Sequence, residues 1–296
     1  QYPEHEVWFV SRGFTAGLVK PVAGVRFFEA DLKGRHKGIG GMVRLFNDLR
    51  RYGPFNSVID LHRVLRTHVL SLLFRLNGNV VFRIDKGRDE KKKLCRKNNK
   101  VFQQLPSTFE RYRQTFKKAG FAFELVPFPG REIFGANKET EASVLKKLPG
   151  LKPFFEAGTK KQIGVAPFAK HPWKMWPAEK MKELLRKLDE ENYSVVLFGG
   201  RGEEQQKLSS WAAEYKNIIS VAGELSFSEE LHLISKLGTM LSMDSANMHL
   251  ASLAGARVIS IWGATHPYAG FYGYGQSASD AVQIDLECRP RSEERR

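Results

Sequence analysis

The chain has 296 residues, 42% of them hydrophobic, and 47 Lys and Arg against 32 Asp and Glu, a formal net charge of +15 at pH 7. That length accommodates two ordinary domains, and the hydrophobic content suits packed cores rather than a disordered chain. No apolar run approaches the length of a membrane-spanning helix, and the opening Gln1-Tyr-Pro-Glu-His-Glu has no signal-peptide pattern. The two cysteines, Cys95 and Cys288, are far apart, with neither a disulfide framework nor metal-ligand spacing, so a reducing compartment and no metal are expected.

In chain order, strand-like runs are predicted at Val7–Val10, Val25–Phe28, Ser57–Asp60 and Val80–Ile84, and helices over Gly41–Tyr52, His62–Asn77 and Pro106–Gly120. The lack of an initial Met, with a buried-type strand already at Val7, predicts that the chain begins inside a domain. A helix over Lys138–Lys147 is followed by Leu148-Pro-Gly-Leu-Lys-Pro153, where the domain boundary is expected: residues 1–150 form a first α/β domain and 151–296 a second. The second half alternates more cleanly. Strands at Gln162–Ala166, Tyr193–Phe198, Ile218–Val221, Met240–Met243 and Val258–Trp262 are interleaved with helices at Pro177–Glu191, Glu203–Tyr215 and Ser226–Lys236, and with one between Ser245 and Gly255. Ser226-Phe-Ser-Glu229 is a capping box, and Ser245 or Asp244 can cap the helix it precedes. Repeated βα alternation predicts parallel sheets with helices on both faces.

Charge is uneven along the chain. Residues 1–150 carry 29 Lys and Arg against 14 Asp and Glu, whereas residues 151–296 carry 18 of each. The basic half, including the run Lys86 to Lys100, is expected to attract nucleic acid, an anionic membrane surface or a phosphorylated acceptor.

Three loops fall at carboxyl ends of strands in the second half, where open α/β sheets bind ligands. Ala166-Pro-Phe-Ala-Lys-His-Pro-Trp-Lys-Met-Trp-Pro177 places Lys170 and Lys174 before a helix N-terminus, as a phosphate requires. Phe198-Gly-Gly-Arg-Gly-Glu-Glu204 offers Gly199 and Gly200 for close backbone approach and Glu203 or Glu204 for ribose hydroxyls. Asp244-Ser-Ala-Asn-Met-His249 sets polar groups at a helix start. Together they describe a nucleotide-diphosphate pocket. Neither a Walker pattern nor G-x-G-x-x-G is present, which argues against a P-loop NTPase and weakens a nicotinamide-dependent dehydrogenase.

The A-P-F-A-K-H-P-W-K-x-W-P loop, the G-G-x-x-E loop and D-S-A-N-M-H-L-A, followed by V-I-S-I-W-G-A-T-H-P, resemble glycosyltransferase family 9, the ADP-heptose:lipopolysaccharide heptosyltransferases, in their Bacteroides-like form. The resemblance spans nearly the whole chain and is strongest from Gly164 to Tyr274. It implies a GT-B fold, with two Rossmann-like domains facing a cleft. It also implies transfer of a heptose or related sugar, with inversion, from an ADP-sugar to a lipopolysaccharide inner-core or lipid A acceptor. By the same resemblance Lys174 meets the donor diphosphate. Asp244, Ser245 and Ala246 form the turn at phosphate and sugar, with Ala246 where many members have Gly. His249 is the family's histidine one turn later, and Glu203 or Glu204 is the ribose acid. Asp60, His62, Arg63, Arg66 and Arg111 are the implied acceptor-binding residues. No cofactor beyond the nucleotide-sugar substrate is implied. The implied location is cytoplasmic, peripheral to the inner membrane's cytoplasmic face.

Two departures from the family pattern stand out. The family's first strand and glycine-rich turn, with the Asp favoured as general base, are expected before Gln1, and the tail Cys288 to Arg296 lacks the usual closing segment. The catalytic residue is therefore unassigned. A basic nucleic-acid-binding α/β protein and an inactive fragment of the same fold are the rival readings. The run Lys86 to Lys100 contains no aromatic residue for base stacking, which counts against the former.

Overall fold

The computed structural model describes residues 2–156 and 161–291. Gln1 and the last five residues of the tail, which bear on the two departures from the family pattern, lie outside the described residues. By its internal contacts the chain forms two compact units, residues 2–88 with 106–126 and residues 89–105 with 127–156 and 161–291.

The first unit contains β1 (Val7–Ser11), α1 (Ala16–Val19), β2 (Val25–Glu29), α2 (Gly38–Arg50), β3 (Ser57–Asp60), α3 (Leu65–Leu76) and β4 (Val80–Arg83); α4 (Arg88–Leu94) leads out of it and α5 (Thr108–Lys118) returns. Strands β1 and β2 pair in parallel, as do β3 and β4, giving two two-stranded sheets. Helix α2 forms because Met42, Leu45, Phe46 and Leu49 recur at helical spacing, and these four bury against Ala30 and Phe74. The same helix buries Asp48, whose carboxylate accepts two bonds from Arg35 at 2.7 and 2.8 Å and lies 3.1 Å from His36 Nε2. The Arg35 bonds, then His36, hold that carboxyl well below the usual carboxylate range.

The second unit adds α6 (Gly130–Gly135), α7 (Lys138–Lys147), α8 (Lys152–Glu156), β5 (Gln162–Ala166), α9 (Ala178–Glu190), β6 (Ser194–Leu197), α10 (Glu203–Ala212), β7 (Ile218–Ser220), α11 (Phe227–Ser235), β8 (Thr239–Met243), α12 (Ala246–Leu253), β9 (Arg257–Trp262) and β10 (Ala281–Gln283). The six strands form one sheet in the order β10-β9-β8-β5-β6-β7, all parallel. Met181 and Leu185 of α9 and Leu208 of α10 cover one face, packed on Val165, Val195, Leu197, Leu241 and Met243. Gly164 points to the opposite face, where a Cβ would meet Leu237 at 2.6 Å just beyond α11.

The division of the chain departs from the expected boundary at residue 150. Helices α6 and α7 pack on α11, so the chain enters the second unit at Pro127. Arg131 fastens this join: its guanidinium donates to the carbonyls of Gly255, Ser235 and Leu237 at 2.9, 2.9 and 2.7 Å, satisfying groups left open at the ends of α12 and α11. The basic run also divides. Leu94 is buried with Leu105 and Ala269, Lys91 lies over the Phe271 ring at 4.1 Å, and Lys100 Nζ donates to the carbonyls of Glu287 and Arg289 at 2.7 Å each. It is therefore no free basic tail, because Lys91 and Lys100 tie it into the second unit, while Lys92, Lys93 and Lys97 remain exposed.

Two adjacent acids on α11 behave oppositely. Burial alone would raise Glu229, but bonds from Lys147, Ser226 and Ser143 outweigh it and hold the group to about 2. Glu230 has burial without such compensation and is pushed up to about 7. An acid whose folded pKa is raised contributes stability below its unfolded pKa and loses it as pH climbs through the folded value. Wild-type stability is therefore expected to fall between about pH 5 and pH 8 relative to Glu230→Gln, by up to about 3 kcal/mol. Urea unfolding across that range checks this; a difference that does not vary with pH would contradict it.

Candidate functional site

In the six-stranded sheet of the second unit the chain runs outward from β5 through β6 to β7, then returns to the other side of β5 with β8, β9 and β10. The connections diverge between β5 and β8. Such a reversal opens a crevice at the carboxyl ends of the two strands. The β5 exit carries Lys174 in a short 3-10 turn, Pro172–Lys174, and the β8 exit carries Asp244 and Ser245.

The fold brings these residues into contact across 70 positions of sequence. Lys174 Nζ lies 3.0 Å from Asp244 Oδ2, with the two side chains only 13% and 7% exposed. Thr265, just past β9, donates to the same oxygen at 2.7 Å. Close approach of the β9 exit to the β5 exit makes this possible: a Cβ on Gly263 would lie 2.3 Å from the Trp173 carbonyl, and Ala264 N donates to that carbonyl at 2.9 Å. Thr265 stands in the motif V-I-S-I-W-G-A-T-H-P, but nothing in a linear reading singled it out; its position after a strand on the same sheet edge was the available signal.

His249 lies one turn into α12. It is solvent-accessible but crowded by protein, and this desolvation lowers its pKa; Asp244 opposes the shift and Lys174 reinforces it. Ser245 occupies the N-cap position of α12, yet its side chain makes no capping bond there; its hydroxyl lies 3.2 Å from that of Ser242 instead. The expectation of a side-chain cap is thus corrected. Buried Ser242, three residues earlier on β8, captures the hydroxyl and leaves the helix amides to another acceptor. Ala246 opens the helix, exposed.

At the β6 exit, Glu204 Oε2 accepts from Gly200 N at 2.7 Å, so this carboxylate braces its own turn. Glu203 is exposed, as is Lys170 on the β5 exit. Gly199 is closely packed, since a Cβ there would meet Leu208 at 2.6 Å.

The first unit holds a second cluster. Asp60 is buried at the end of β3 and its Oδ1 accepts from the amides of His62 and Arg63 at 2.9 and 2.8 Å. That turn places Arg63 at φ 43°, a left-handed conformation, with its guanidinium 3.1 Å from the Ile84 carbonyl. Burial, then Lys86 and Arg66, lower the His62 pKa, with Arg12 adding to them and Asp60 opposing. Burial, Arg88 and Arg63 likewise lower Lys86, against Asp60. Arg12, Lys86 and Arg88 therefore join Arg63 and Arg66 in one cationic group around His62. Arg111 is buried beneath it, its guanidinium against Gly87 at φ 59°, where a Cβ would sit 2.2 Å from a guanidinium nitrogen.

A six-stranded parallel sheet of doubly wound order, with a buried cation–carboxylate pair at its switch point, defines a Rossmann-like α/β domain suited to an anionic ligand. The chain belongs to glycosyltransferase family 9 (heptosyltransferase), whose family model matches residues 42–295. It is 31% identical over 134 residues to lipooligosaccharide heptosyltransferase 2 of Haemophilus influenzae, and 29% identical over 110 residues to lipopolysaccharide heptosyltransferase 2 of Escherichia coli K12. These matches take in 43% and 36% of this chain but only 38% and 32% of those relatives' own lengths.

Among solved structures it resembles a family 9 glycosyl transferase from Veillonella parvula (TM-score 0.70, 16% identity, 94% of this chain and 77% of that one). It also resembles Escherichia coli heptosyltransferase WaaC with ADP (0.65, 18%, 93% and 83%) and Escherichia coli ADP-heptose lps heptosyltransferase II (0.66, 17%, 98% and 84%). At such identities the likeness is one of fold, and it is the α/β, parallel-sheet GT-B fold that the sequence predicted.

The geometry around His249 is open to measurement. Its imidazole is expected to titrate below the ordinary value of 6.5. Asp244→Asn removes the opposing charge and lowers the pKa further, whereas Lys174→Met raises it. Histidine titration by NMR reads both shifts; no response to either substitution would separate His249 from the pair.

Proposed function

We propose that the chain transfers a heptose, or a related sugar, from an ADP-sugar donor to an acidic lipopolysaccharide inner-core or lipid A acceptor, inverting the anomeric centre. The Lys174–Asp244 pair at the switch point carries this reading. A diphosphate needs a cation and open helix amides; Lys174 and the start of α12 supply them side by side. The sugar offers hydroxyl donors, and Asp244, already turned inward, is a carboxylate to receive them. Glu203 is the freer acid for ribose, because Glu204 is engaged with Gly200. One Escherichia coli relative points to the same donor class: heptosyltransferase WaaC, solved once with ADP and once with ADP-2-deoxy-2-fluoro heptose.

In this mechanism an acceptor hydroxyl attacks the anomeric carbon while a general base removes its proton, and ADP departs. Lys174 and the helix dipole stabilise the charge that grows on the leaving phosphate. The cationic group around Arg63, Arg66 and His62 suits phosphate or carboxylate on the acceptor, with Arg111 supporting the Lys86–Arg88 turn from below. We assign donor binding to the second unit and acceptor binding to the first. Because the acceptor is a lipid, the working location is peripheral to the cytoplasmic face of the inner membrane. Among the described residues no helix is long and apolar enough to cross a membrane.

Lys174→Ala is expected to weaken ADP-heptose binding by roughly tenfold to a hundredfold, the loss of one charge-assisted contact to phosphate. Calorimetric titration measures it, and unchanged affinity would remove Lys174 from the donor site and the reading with it.

A further inference from the structure

Helix α3 turns leucines outward. Leu65, Leu72 and Leu76 are 83%, 55% and 77% exposed, and at 100° per residue they lie within an arc of about 40°, forming one stripe along the helix. Its neighbour α2 adds Ile39 and Val43, 75% and 40% exposed, also one turn apart. Where the two helices begin, Leu32, Ile39, Met42, Leu65 and Val69 line a groove of about 260 Å³ with Arg66 among its walls. Ordinary surface helices keep such residues inside; a contiguous exposed set of this kind marks an interaction surface.

The charge around the stripe identifies its occupant. Between residues 33 and 83 stand ten Lys and Arg and only two acids, Asp48 and Asp60. Both acids are buried and already engaged, Asp48 by Arg35 and Asp60 by the turn amides. Arg50, Arg66 and Arg75 are exposed on the same two helices. Leucines within a field of excess positive charge match a surface that is negative outside and hydrocarbon beneath. Nucleic acid would reward stacking side chains here, and no Phe, Tyr or Trp is exposed on either helix.

We propose that the outer faces of α2 and α3 dock on an anionic phospholipid bilayer, with Leu65, Leu72, Leu76 and Ile39 inserted at the acyl boundary and the arginines against the headgroups. The proposal deepens the reading of a lipid-linked acceptor and rests on it only for the biological membrane. The docking itself involves neither donor nor sugar.

The test uses the full chain with sedimenting vesicles of phosphatidylcholine alone, or of phosphatidylcholine with one-third phosphatidylglycerol. Binding is expected to the anionic vesicles, to weaken as salt screens the headgroups, and to be slight on the neutral ones. L65S/L72S/L76S should lower partitioning at least roughly tenfold, while L65M/L72M/L76M keeps it, because apolar insertion and not leucine as such is required. Wild-type protein left in the supernatant, or a serine variant that binds like wild type, overturns the proposal. So does light scattering that shows leucine-dependent self-association without vesicle binding, which would make the stripe a contact between copies. Donor affinity measured separately at Lys174 keeps the two readings distinguishable: either can fail while the other stands.

Discussion

The ion pair between Lys174 and Asp244 is the constraint around which the functional end of the second unit is built. Removing two charges from water is costly, and their attraction repays this only with good geometry and further hydrogen bonds. Three separate exits must cooperate to provide that geometry. Strands β5 and β8 are neighbours only because the chain reverses direction across the sheet; β9 then brings Thr265 to the same carboxylate oxygen. Thr265 is itself held from behind, since the buried Arg289 guanidinium donates to its carbonyl at 2.6 Å, and Lys100 Nζ in turn donates to the Arg289 carbonyl. The segment 89–105 therefore reaches the pair through two relays, which gives a structural role to part of a run that reads as mere surface charge.

Legibility in the sequence followed burial. The inner strands of the second unit are buried, so they appear as unbroken apolar runs such as Met240 to Met243, and the bounds predicted for β5 to β9 differ from the structure by a residue or so; the exposed edge strand β10 gave no such run and was not predicted. The box at Ser226 was equally plain, because capping chemistry is local: Ser226 and Glu229 exchange bonds at 3.4 and 2.7 Å. Features set by distant partners were not readable. Helix α6 begins after Pro127-Phe-Pro, which looks like loop, and exists because Gly130 packs within contact of the Leu253 carbonyl and Arg131 reaches α11 and α12. Lys174 and Asp244 were each legible as ligand-facing, but their pairing was not, since only the strand order joins them.

Ser245 shows the limit of local rules from the other side. Its type and position are those of a helix cap, and its backbone is extended as a cap requires, at φ −144° and ψ 178°. A competing hydroxyl at Ser242 is enough to redirect it, for the two options differ by about one hydrogen bond. What looks like a lost cap leaves amide groups of a buried-strand exit facing outward, next to a lysine. At an ordinary helix that would be a small loss of stability. At a strand switch point it leaves donors where an anionic ligand is expected.

The two units handle positive charge in contrasting ways. In the second, Lys174 is desolvated and held at 3.0 Å by a carboxylate, so its charge acts over a short range and in one direction. In the first, the acids near α2 and α3 are consumed internally, and the arginines on the outer faces keep their charge exposed to solvent. Exposed charge is felt out to about a Debye length, roughly 8 Å at physiological salt, and attracts without discriminating. Paired, buried charge discriminates without attracting from afar. On the function proposed above, locating an acidic lipid on a surface and selecting a nucleotide sugar from solution would call for one of each. The excess charge lies in residues 1–150, with 29 Lys and Arg against 14 Asp and Glu, while the ordered ion pair lies in the half that carries 18 of each.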